Sequence, residues 1–235
     1  MIKNAMILAA GFGTRLHPLT LEHPKPLLKI GNVTLLSNAI KFLELFGIKQ
    51  VVINVHYLRE KINKYISNNN FNLNIRIVEE KNEILDTGGG VLNAIKYFSN
   101  QPFLIINPDT IWSQNYLNEV KSMEKFFYEK KIKCMLLVAN KKQSFDKTFK
   151  GDFNLKNNLI SRKDNHDLNY IYTGLQIIKP EVFNESNNKI FSINKIWNKL
   201  IENKELYGIE SHEDFFHVST LDVYKNILKK NLNIK

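Results

Sequence analysis

Short apolar runs alternate with longer segments of helical period along the first 140 residues. The apolar runs have the length of β-strands, and the segments between them repeat apolar residues every three to four positions, as amphipathic helices do. Predicted strands are residues 3–10, 50–55, 74–80, 102–107 and 133–139. Predicted helices are residues 34–47, 58–67, 91–99 and 114–130. This alternation predicts a mostly parallel sheet with helices on both faces.

After residue 139 the pattern changes to short strands joined by polar turns. Predicted strands are residues 151–155, 158–162, 170–178 and 205–210, and predicted helices are residues 192–203 and 220–230. No stretch has the composition of a flexible linker, and no internal repeat is visible. The chain is therefore predicted to have an α/β fold, with a Rossmann-like sheet and a small α+β lobe. We expect a single domain, residues 1–235, with lobes at residues 1–139 and 140–235.

Length and composition fit one globular unit. A chain of 235 residues with 43% hydrophobic residues can fill a substantial core. The single cysteine, Cys134, lies in an apolar run, which excludes a disulfide framework and a multi-cysteine metal cluster and predicts a buried thiol. The beginning of the chain lacks a signal-peptide pattern, and no apolar run approaches the roughly 18–20 residues of a membrane span. We expect a cytoplasmic protein with no membrane partner.

The formal net charge of +10 would attract the phosphates of nucleic acid. Lysine, asparagine and isoleucine are, however, abundant throughout the chain, including plain surface stretches such as residues 61–74. Few of the 33 cationic residues are arginine, the side chain preferred for bidentate recognition of bases and phosphates. A solvated, lysine-rich surface explains the charge more simply, and we expect no nucleic acid partner.

A glycine-containing loop follows the first predicted strand. Ligands of open parallel sheets bind beyond the carboxyl ends of the strands, which makes this loop a candidate site. Gly11 and Gly13 can adopt backbone angles closed to other residues and let a phosphate approach main-chain N–H groups, while Arg15 offers a planar set of donors. The spacing G-x-G-T-R matches neither a Walker loop nor a dinucleotide fingerprint. Since ordinary strand–helix turns also use glycine, the loop alone leaves both interpretations open.

The second candidate is the lysine in LEHPKPLLKIG. Pro24 and Pro26 hold the backbone around Lys25 extended, which places one ammonium group in a defined position. Taken alone, the same sequence also fits a lysine in an ordinary proline turn with no functional role. The loop and the lysine have to be considered together.

Together these motifs resemble the signature of the sugar-1-phosphate nucleotidyltransferases, the enzymes that make nucleoside-diphosphate sugars. The pattern G-x-G-T-R-L-x-P-L-T-x-x-x-P-K-P is matched at every fixed position from Gly11 to Pro26. The resemblance implies that Arg15 and Lys25 are catalytic and that a nucleoside triphosphate and a sugar 1-phosphate are the substrates. It implies nucleotide contacts from Leu8, Ala9, Ala10, Gly11, Gly13, Thr14, Arg15, Lys25, Thr87 and Gly88.

The sequence DTGGGVLNA, residues 86–94, places three glycines at the start of a predicted helix. Bare backbone there permits a base or a phosphate to approach, although glycines at helix starts are also common for structural reasons. The resemblance favours contact with the nucleotide and the sugar. The form T-G-G-G is similar to the N-acetylmuramate-1-phosphate uridylyltransferase branch.

In LIINPDTIW, Asp109 follows a wholly apolar strand. A carboxylate in that position suits either a Mg²⁺ ligand or a helix cap. The pattern N-x-D of the family implies that Asp109 is a catalytic metal ligand and that Asn107 contacts the substrate. Mg²⁺ is therefore the expected cofactor.

The resemblance continues into the second lobe, where it implies that Gly151, Asp152, Thr173 and Gly174 lie near the sugar phosphate. The E-K-P motif of many relatives is absent, and residues 161–163 read S-R-K roughly in its place. The sugar contacts of that loop therefore do not follow from the family pattern.

A further departure is FFHVST, which stands where relatives often have W-x-D-V-G-T. His217 thereby occupies the slot of a second metal-binding aspartate, and Ser219 replaces a glycine. Imidazole is a poorer Mg²⁺ ligand than carboxylate and favours softer divalent ions. Three roles stay open: His217 ligates a metal, it binds the substrate phosphate as a cation, or a single metal on Asp109 and the nucleotide suffices.

The expected reaction joins a sugar 1-phosphate to the α-phosphorus of a nucleoside triphosphate and releases pyrophosphate. The length and the T-G-G-G form favour UTP and N-acetylmuramate 1-phosphate, as in cell-wall recycling. The alternatives are a mannose- or heptose-1-phosphate guanylyltransferase that uses GTP and, in another class, a non-catalytic nucleotide- or sugar-binding regulatory protein. The oligomeric state is expected to be a monomer or a small homo-oligomer.

Overall fold

A nine-stranded sheet organises the part of the chain that the structure describes, which is residues 1–162, 168–184, 186, 188–230 and 232 of a computed structural model. The strands are β1 Asn4–Leu8, β2 Lys29–Ile30, β3 Val33–Thr34, β4 Gln50–Val55, β5 Asn74–Glu79, β6 Phe103–Ile106, β7 Cys134–Asn140, β8 Asn154–Lys156, β9 Leu159–Ser161, β10 Tyr170–Ile178 and β11 Leu206–Ser211. The helices are α1 Leu19–Glu22, α2 Leu35–Phe46, α3 Arg59–Ser67, α4 Asp86–Ala94, α5 Tyr116–Glu129, α6 Asn194–Glu202 and α7 Leu221–Leu228.

The strand order in the large sheet is β5-β4-β1-β6-β10-β7-β11-β9-β8, and β2 and β3 form a separate hairpin. Strands β5, β4, β1 and β6 are parallel neighbours, and β11 runs parallel to β7. Strand β10 lies antiparallel between β6 and β7. The predicted α/β fold with a mostly parallel sheet and a smaller α+β lobe is confirmed. The boundary between the two lobes stays a prediction.

Apolar side chains cover both faces of the central strands, as expected for parallel strands with helices on either side. In β1, Ala5 and Ile7 pack into the core beneath α2 and α5, whereas Met6 packs into the core beneath α4 and α6. All four residues of β6 are buried. The thiol of Cys134 is also buried, as its apolar run predicts.

A third apolar cluster connects the end of the chain to its beginning. Tyr224 and Ile227 of α7 pack with Leu16 and Leu28 from the two signature motifs. The Tyr224 hydroxyl donates to the backbone oxygen of Lys29 at 2.7 Å. The last helix therefore supports the loop that follows β1.

Helix α4 differs from its prediction. The apolar pattern predicts a helix over residues 91–99 that the three glycines open, whereas the helix begins at Asp86, includes the glycines in its first two turns and ends at Ala94, followed by a 3-10 turn. Glycine is a poor helix former, so the hydrophobic pattern signals only the later turns. The N–H groups of Gly88 and Gly89 donate to the Phe191 oxygen at 2.8 and 3.0 Å. Tertiary packing therefore sets the beginning of this helix.

The helices of the described residues are too short or too polar to span a bilayer. Crossing one needs a long and continuously apolar helix. No helix in these parts of the chain meets both requirements.

Candidate active site

The first cavity has a volume of about 450 Å³ and lies beyond the carboxyl end of β1. Strand β1 is flanked by β4 on one side and β6 on the other, which is the switch point where open α/β sheets bind ligands. Its lining consists of Leu8, Ala9, Ala10, Gly11, Phe12, Gly13, Thr14, Arg15, Leu16, Lys25, Pro26, Asn54, Ile84, Asp86, Thr87, Asn107, Pro108 and Asp109. The structure thus brings the residues predicted to bind the nucleotide together, with the exception of Gly88.

Gly88 lies buried in α4 and does not line this cavity. A Cβ atom at Gly88 would come within 2.4 Å of the Phe191 ring, and one at Gly89 within 2.1 Å of the Lys189 backbone oxygen. These two glycines therefore permit the close approach of the segment before α6. The neighbouring Thr87 does line the cavity, and its hydroxyl accepts a hydrogen bond from Ile193 N at 2.9 Å.

The glycine loop is built around Gly13, whose φ of +66° lies in the left-handed region. Its carbonyl accepts hydrogen bonds from Thr20 Oγ1 at 2.8 Å and from Leu16 N at 2.9 Å. A Cβ on Gly13 would lie 3.1 Å from the Cβ of Lys25, so the two signature motifs are in direct contact. Glycine is needed here for both backbone angle and space.

Gly11 is different, because its φ is not in the left-handed region and an added Cβ would meet no atom within 4 Å. Gly13 uses the backbone freedom of glycine, whereas Gly11 does not adopt a left-handed angle. No contact among the described residues requires a glycine at this position. It lines the first cavity with its backbone exposed, which suits close approach by a ligand.

The variants Gly11→Ala and Gly89→Ala are expected to separate ligand binding from stability. Gly11→Ala should change the free energy of unfolding by less than about 0.5 kcal/mol but weaken binding of a non-hydrolysable nucleoside triphosphate, because the methyl group occupies cavity space. Gly89→Ala should lower the free energy of unfolding by about 1–3 kcal/mol through overpacking. Urea denaturation and nucleotide titration measure both. Unchanged nucleotide affinity in Gly11→Ala would contradict the role of the loop.

Three charged or titratable side chains meet beside the first cavity, and we call Lys25, Asp109 and His217 the charged cluster; Lys25 and Asp109 line this cavity. Lys25 Nζ lies 2.5 Å and His217 Nε2 lies 3.1 Å from Asp109 Oδ2. The three side chains are only 12%, 19% and 14% exposed, respectively, so solvent screens these contacts weakly. The pairing brings together residues from three distant parts of the sequence.

Backbone pairing positions His217 in this cluster. Thr110 and His217 form an antiparallel bridge, and Val218 N donates to Asp109 O at 2.8 Å. Ile111 N donates to Phe216 O at 2.9 Å on the other side of the bridge. The segment before α7 therefore runs alongside the segment after β6, which fixes the imidazole beside the carboxylate.

The charge of Asp109 is strongly favoured in this environment. Burial by itself would raise the pKa of Asp109, but the Lys25 ammonium and the His217 ring outweigh burial and hold that pKa well below its usual range. The carboxylate is therefore ionised.

Unpaired polar atoms at the charged cluster indicate a ligand-binding site. Asn107 Oδ1, Asp109 Oδ1 and His217 Nδ1 are buried and have no hydrogen-bond partner among the described residues. Buried polar atoms are normally paired, because an unpaired one loses its interaction with water without replacement. Three such atoms on neighbouring residues indicate that a polar ligand completes the site.

The cluster fits a metal that relies on its substrate for most of its ligands. No group of three or more His, Cys, Asp or Glu side chains suited to a metal occurs among the described residues. Mg²⁺ is commonly held by one or two carboxylates together with substrate phosphates. The free Oδ1 of Asp109 supplies the oxygen donor that such a site requires.

A buried polar network lies behind the loop, and the sequence did not single it out. Asn54 Oδ1 accepts from Ala9 N at 3.0 Å, and Asn54 Nδ2 donates to Glu80 Oε1 at 2.7 Å. Glu80 Oε2 accepts from Leu85 N at 2.8 Å, one residue before α4. The network therefore ties the ends of β1, β4 and β5 to the start of α4.

Glu80→Ala is expected to lower the free energy of unfolding by about 2–3 kcal/mol, because a buried donor on Asn54 and a partly buried donor on Leu85 lose their acceptor. Nucleotide affinity should fall as well, since Ala9 and Thr87 depend on the segments that the network holds. Glu79→Ala is the control, because the Glu79 side chain is 32% exposed and contacts the side chains of Arg59 and Asn63 on α3 rather than the buried network. Denaturation measures the stability of the two variants, and nucleotide titration measures their affinity. If both variants give the same stability and affinity, the positioning role of Glu80 is contradicted.

The second cavity has a volume of about 280 Å³ and adjoins the first. It is lined by Leu8, Asp86, Thr87, Asn107, Phe149, Asp152, Arg162, Ile171, Tyr172, Gln176, Ser192, Ile193, Asn194, Trp197, Phe215 and His217. Leu8, Asp86, Thr87 and Asn107 line both cavities. Two compounds bound in these cavities would therefore meet beside the charged cluster.

The predicted sugar-phosphate residues are divided between this cavity and the sheet behind it. Asp152 lines the cavity, and its Oδ2 accepts from Tyr172 N at 2.9 Å. Thr173 is fully buried and donates its hydroxyl proton to Leu137 O. Gly174, with φ +95°, occupies an irregularity in β10 where a Cβ would lie 2.8 Å from that of Asn107. Gly151, with φ +90°, approaches Leu168 O, so neither glycine lines the cavity.

The segment S-R-K, in place of the E-K-P motif, contributes Arg162 to the second cavity. Its guanidinium lies 4.5 Å from the centre of the Phe153 ring. Burial lowers the pKa of Arg162, and the nearby charge of Asp152 acts in the opposite direction. Lys163, the last residue of the segment, lies outside the described residues.

A cavity of about 450 Å³ at a sheet switch point, a second cavity beside it and a charged cluster where they meet are features expected of a nucleotide-dependent α/β transferase. The nucleotidyl transferase family matches residues 4–149, and the chain belongs to this family. It is a sugar-1-phosphate nucleotidyltransferase. Enzymes of this class take a nucleoside triphosphate and a sugar phosphate as substrates.

Individual relatives agree with this assignment. The N-acetylmuramate alpha-1-phosphate uridylyltransferase of Caulobacter vibrioides is 28% identical over 92% of this chain and 91% of its own length. The mannose-1-phosphate guanylyltransferase catalytic subunit beta of Drosophila pseudoobscura is 29% identical over 88% of this chain but only 56% of its own length. A putative glucose-1-phosphate thymidylyltransferase structure from Bacillus anthracis superposes with a TM-score of 0.81, covering 99% of this chain and 96% of that chain at 19% identity, and supports the fold.

Proposed function

We propose that this enzyme transfers uridylyl from UTP to N-acetylmuramate 1-phosphate and releases pyrophosphate. The observation that carries the proposed reaction is the meeting of two cavities at the charged cluster. The choice of sugar and base is supported by similarity to a uridylyltransferase over nearly the full length of both chains. The guanylyltransferase relative, in contrast, is matched over little more than half of its length.

In the proposed reaction the nucleotide occupies the first cavity and the sugar 1-phosphate the second. A sugar-phosphate oxygen attacks the α-phosphorus in line, a new P–O bond forms, and the bond to the β-phosphate breaks. The second pKa of such a phosphate monoester is about 6, so the attacking oxygen is already ionised near neutral pH. The protein therefore has no need of a general base.

Several groups that line the first cavity have defined tasks in this proposal. Backbone N–H groups of the loop from Gly11 to Thr14 and the Arg15 guanidinium bind the β- and γ-phosphates and stabilise departing pyrophosphate. Lys25 neutralises charge at the α-phosphate, where negative charge develops in the transition state. Asn107 lines both cavities and offers its unpaired Oδ1 to the sugar substrate.

The proposal includes Mg²⁺, which Asp109 and the phosphates of the nucleotide would hold. When bound, the ion supplies positive charge to the phosphate oxygens. His217 is assigned a supporting role, because its Nε2 is already engaged by Asp109 and imidazole is a poor ligand for this ion. It orients the carboxylate.

The second candidate is a mannose- or heptose-1-phosphate guanylyltransferase that uses GTP. The Drosophila relative favours it, because the similarity extends over 88% of this chain. The cytoplasmic location belongs to the proposal as well, since the single buried thiol of Cys134 suits a reducing compartment.

The decisive experiment measures pyrophosphate release with Mg²⁺ for UTP, GTP, CTP and dTTP, each against N-acetylmuramate, mannose and glucose 1-phosphates. Release with UTP and N-acetylmuramate 1-phosphate is the expected result. Preference for GTP and mannose 1-phosphate would establish the second candidate instead. No release with any pair, from protein that still binds a nucleotide, would contradict both and favour a non-catalytic binding role.

A further inference from the structure

Arg162 occupies a part of the second cavity for which the proposed reaction provides no task. It lies directly after β9 and beside α6. Lys25 and Asp109 line only the first cavity, whereas Arg162 lines only the second, which His217 of the charged cluster also lines. The reacting phosphates belong beside the charged cluster, so a different part of the sugar substrate faces Arg162.

Neutral groups hold the guanidinium in a fixed orientation. Nη1 donates to Asn198 Oδ1, Nη2 donates to Asn194 Oδ1 at 2.6 Å, and Nε donates to the backbone oxygen of Asp152 at 3.4 Å. The face of the group stacks on the Phe153 ring. A guanidinium has five N–H donors, so one donor on each terminal nitrogen is left for a ligand. Two N–H donors of one guanidinium can bind the two oxygens of a carboxylate.

The positive charge of Arg162 has no direct counterion among the described residues. The carboxylate of Asp152 is near enough to influence it, but no carboxylate oxygen in these parts of the chain forms an ion pair with it. Asp152 Oδ2 instead accepts the hydrogen bond from Tyr172 N. Aromatic side chains of Phe149, Tyr172 and Trp197 form much of the surrounding wall, which limits screening by water.

We propose that Arg162 binds a carboxylate carried by the sugar, so that the enzyme selects an acidic sugar 1-phosphate over a neutral one. The inference rests on the proposed function, whose sugar carries a carboxylate on its lactyl ether. The phosphate of the sugar substrate has similar oxyanion chemistry, but the proposed reaction needs it beside the charged cluster, where the two cavities meet. Asp152, beside Arg162, is placed to accept hydrogen bonds from sugar hydroxyl groups.

The test compares Arg162→Gln with the unmodified enzyme, using UTP and three sugar substrates. These are N-acetylmuramate 1-phosphate, its neutral carboxamide, and N-acetylglucosamine 1-phosphate, which lacks the lactyl group. The variant should raise KM for N-acetylmuramate 1-phosphate about tenfold, as expected for one lost charged contact at a half-buried site. KM, or the inhibition constant where turnover is slow, should stay unchanged for the two neutral compounds.

Arg76→Gln is the matched control, because Arg76 also stacks on an aromatic ring, that of Tyr97, but lies on β5 and lines neither cavity. It should alter none of the three constants. If Arg162→Gln raises KM equally for all three compounds, Arg162 binds the phosphate instead. If all three constants stay unchanged, Arg162 contacts none of the compounds. Either result overturns this inference but leaves the proposed function standing. If the unmodified enzyme neither uses nor binds N-acetylmuramate 1-phosphate, the proposed function fails and this inference fails with it.

Discussion

Replacing Lys25 with alanine is expected to lower kcat at least about a hundredfold, the effect of removing one preorganised electrostatic stabiliser. The lysine contacts Asp109 at 2.5 Å, and its side chain is only 12% exposed. Water is therefore a poor substitute for the ammonium group. Steady-state pyrophosphate release measures the loss.

Lys29→Ala is the control for this experiment, because Lys29 is a nearby lysine whose residue is exposed on β2. It should retain nearly normal turnover. Lys25→Arg restores the charge but not the compact shape of an ammonium group, and partial recovery at most is expected. Near-normal kcat in Lys25→Ala, with the fold intact by circular dichroism, would refute the catalytic role of Lys25.

Asp109→Asn is expected to lower kcat by at least about a thousandfold, because it removes the charge that holds the cation and leaves Lys25 without its counterion. The amide has nearly the same shape, so packing is preserved. The loss of the buried pair should also reduce the free energy of unfolding by about 3 kcal/mol. Activity over a Mg²⁺ titration and urea denaturation measure the two effects.

Nucleotide binding separates catalysis from folding in this variant. Asp109→Asn should still bind nucleotide without added metal through the loop that follows β1. Asp222→Asn serves as the control, because Asp222 lies in the first turn of α7 and lines neither cavity. Activity of Asp109→Asn that equals the unmodified enzyme at low Mg²⁺ would remove Asp109 from the proposed metal ligands.

Local sequence patterns predicted most of the fold and the phosphate-binding part of the proposed site. The strand β4 and the strand β10 begin and end where their apolar runs predict. The contact between Gly13 and Lys25 follows from two motifs separated by a short, proline-bounded segment. In such cases the information lies within a few neighbouring residues, and a single sequence is sufficient.

Long-range packing accounts for what the pattern did not predict. Glu80 ends a strand-like run and resembles a surface charge, yet alignment of β4 with β5 buries it against Asn54. The early start of α4 depends on the carbonyl of Phe191, which lies far along the chain. The position of Arg162 depends on Asn194 and Asn198 of α6. None of these partners is visible in local periodicity.

The reversed strand β10 has a consequence for synthesis of the chain on the ribosome. Strand β7 pairs only with β10 and β11 among the described residues, and both emerge after it. At about 5–20 residues per second, the apolar β7 waits for several seconds before either partner is available. During that interval the nascent chain presents an unpaired apolar edge to chaperones, and the charged cluster is completed only when the segment bearing His217 has left the exit tunnel.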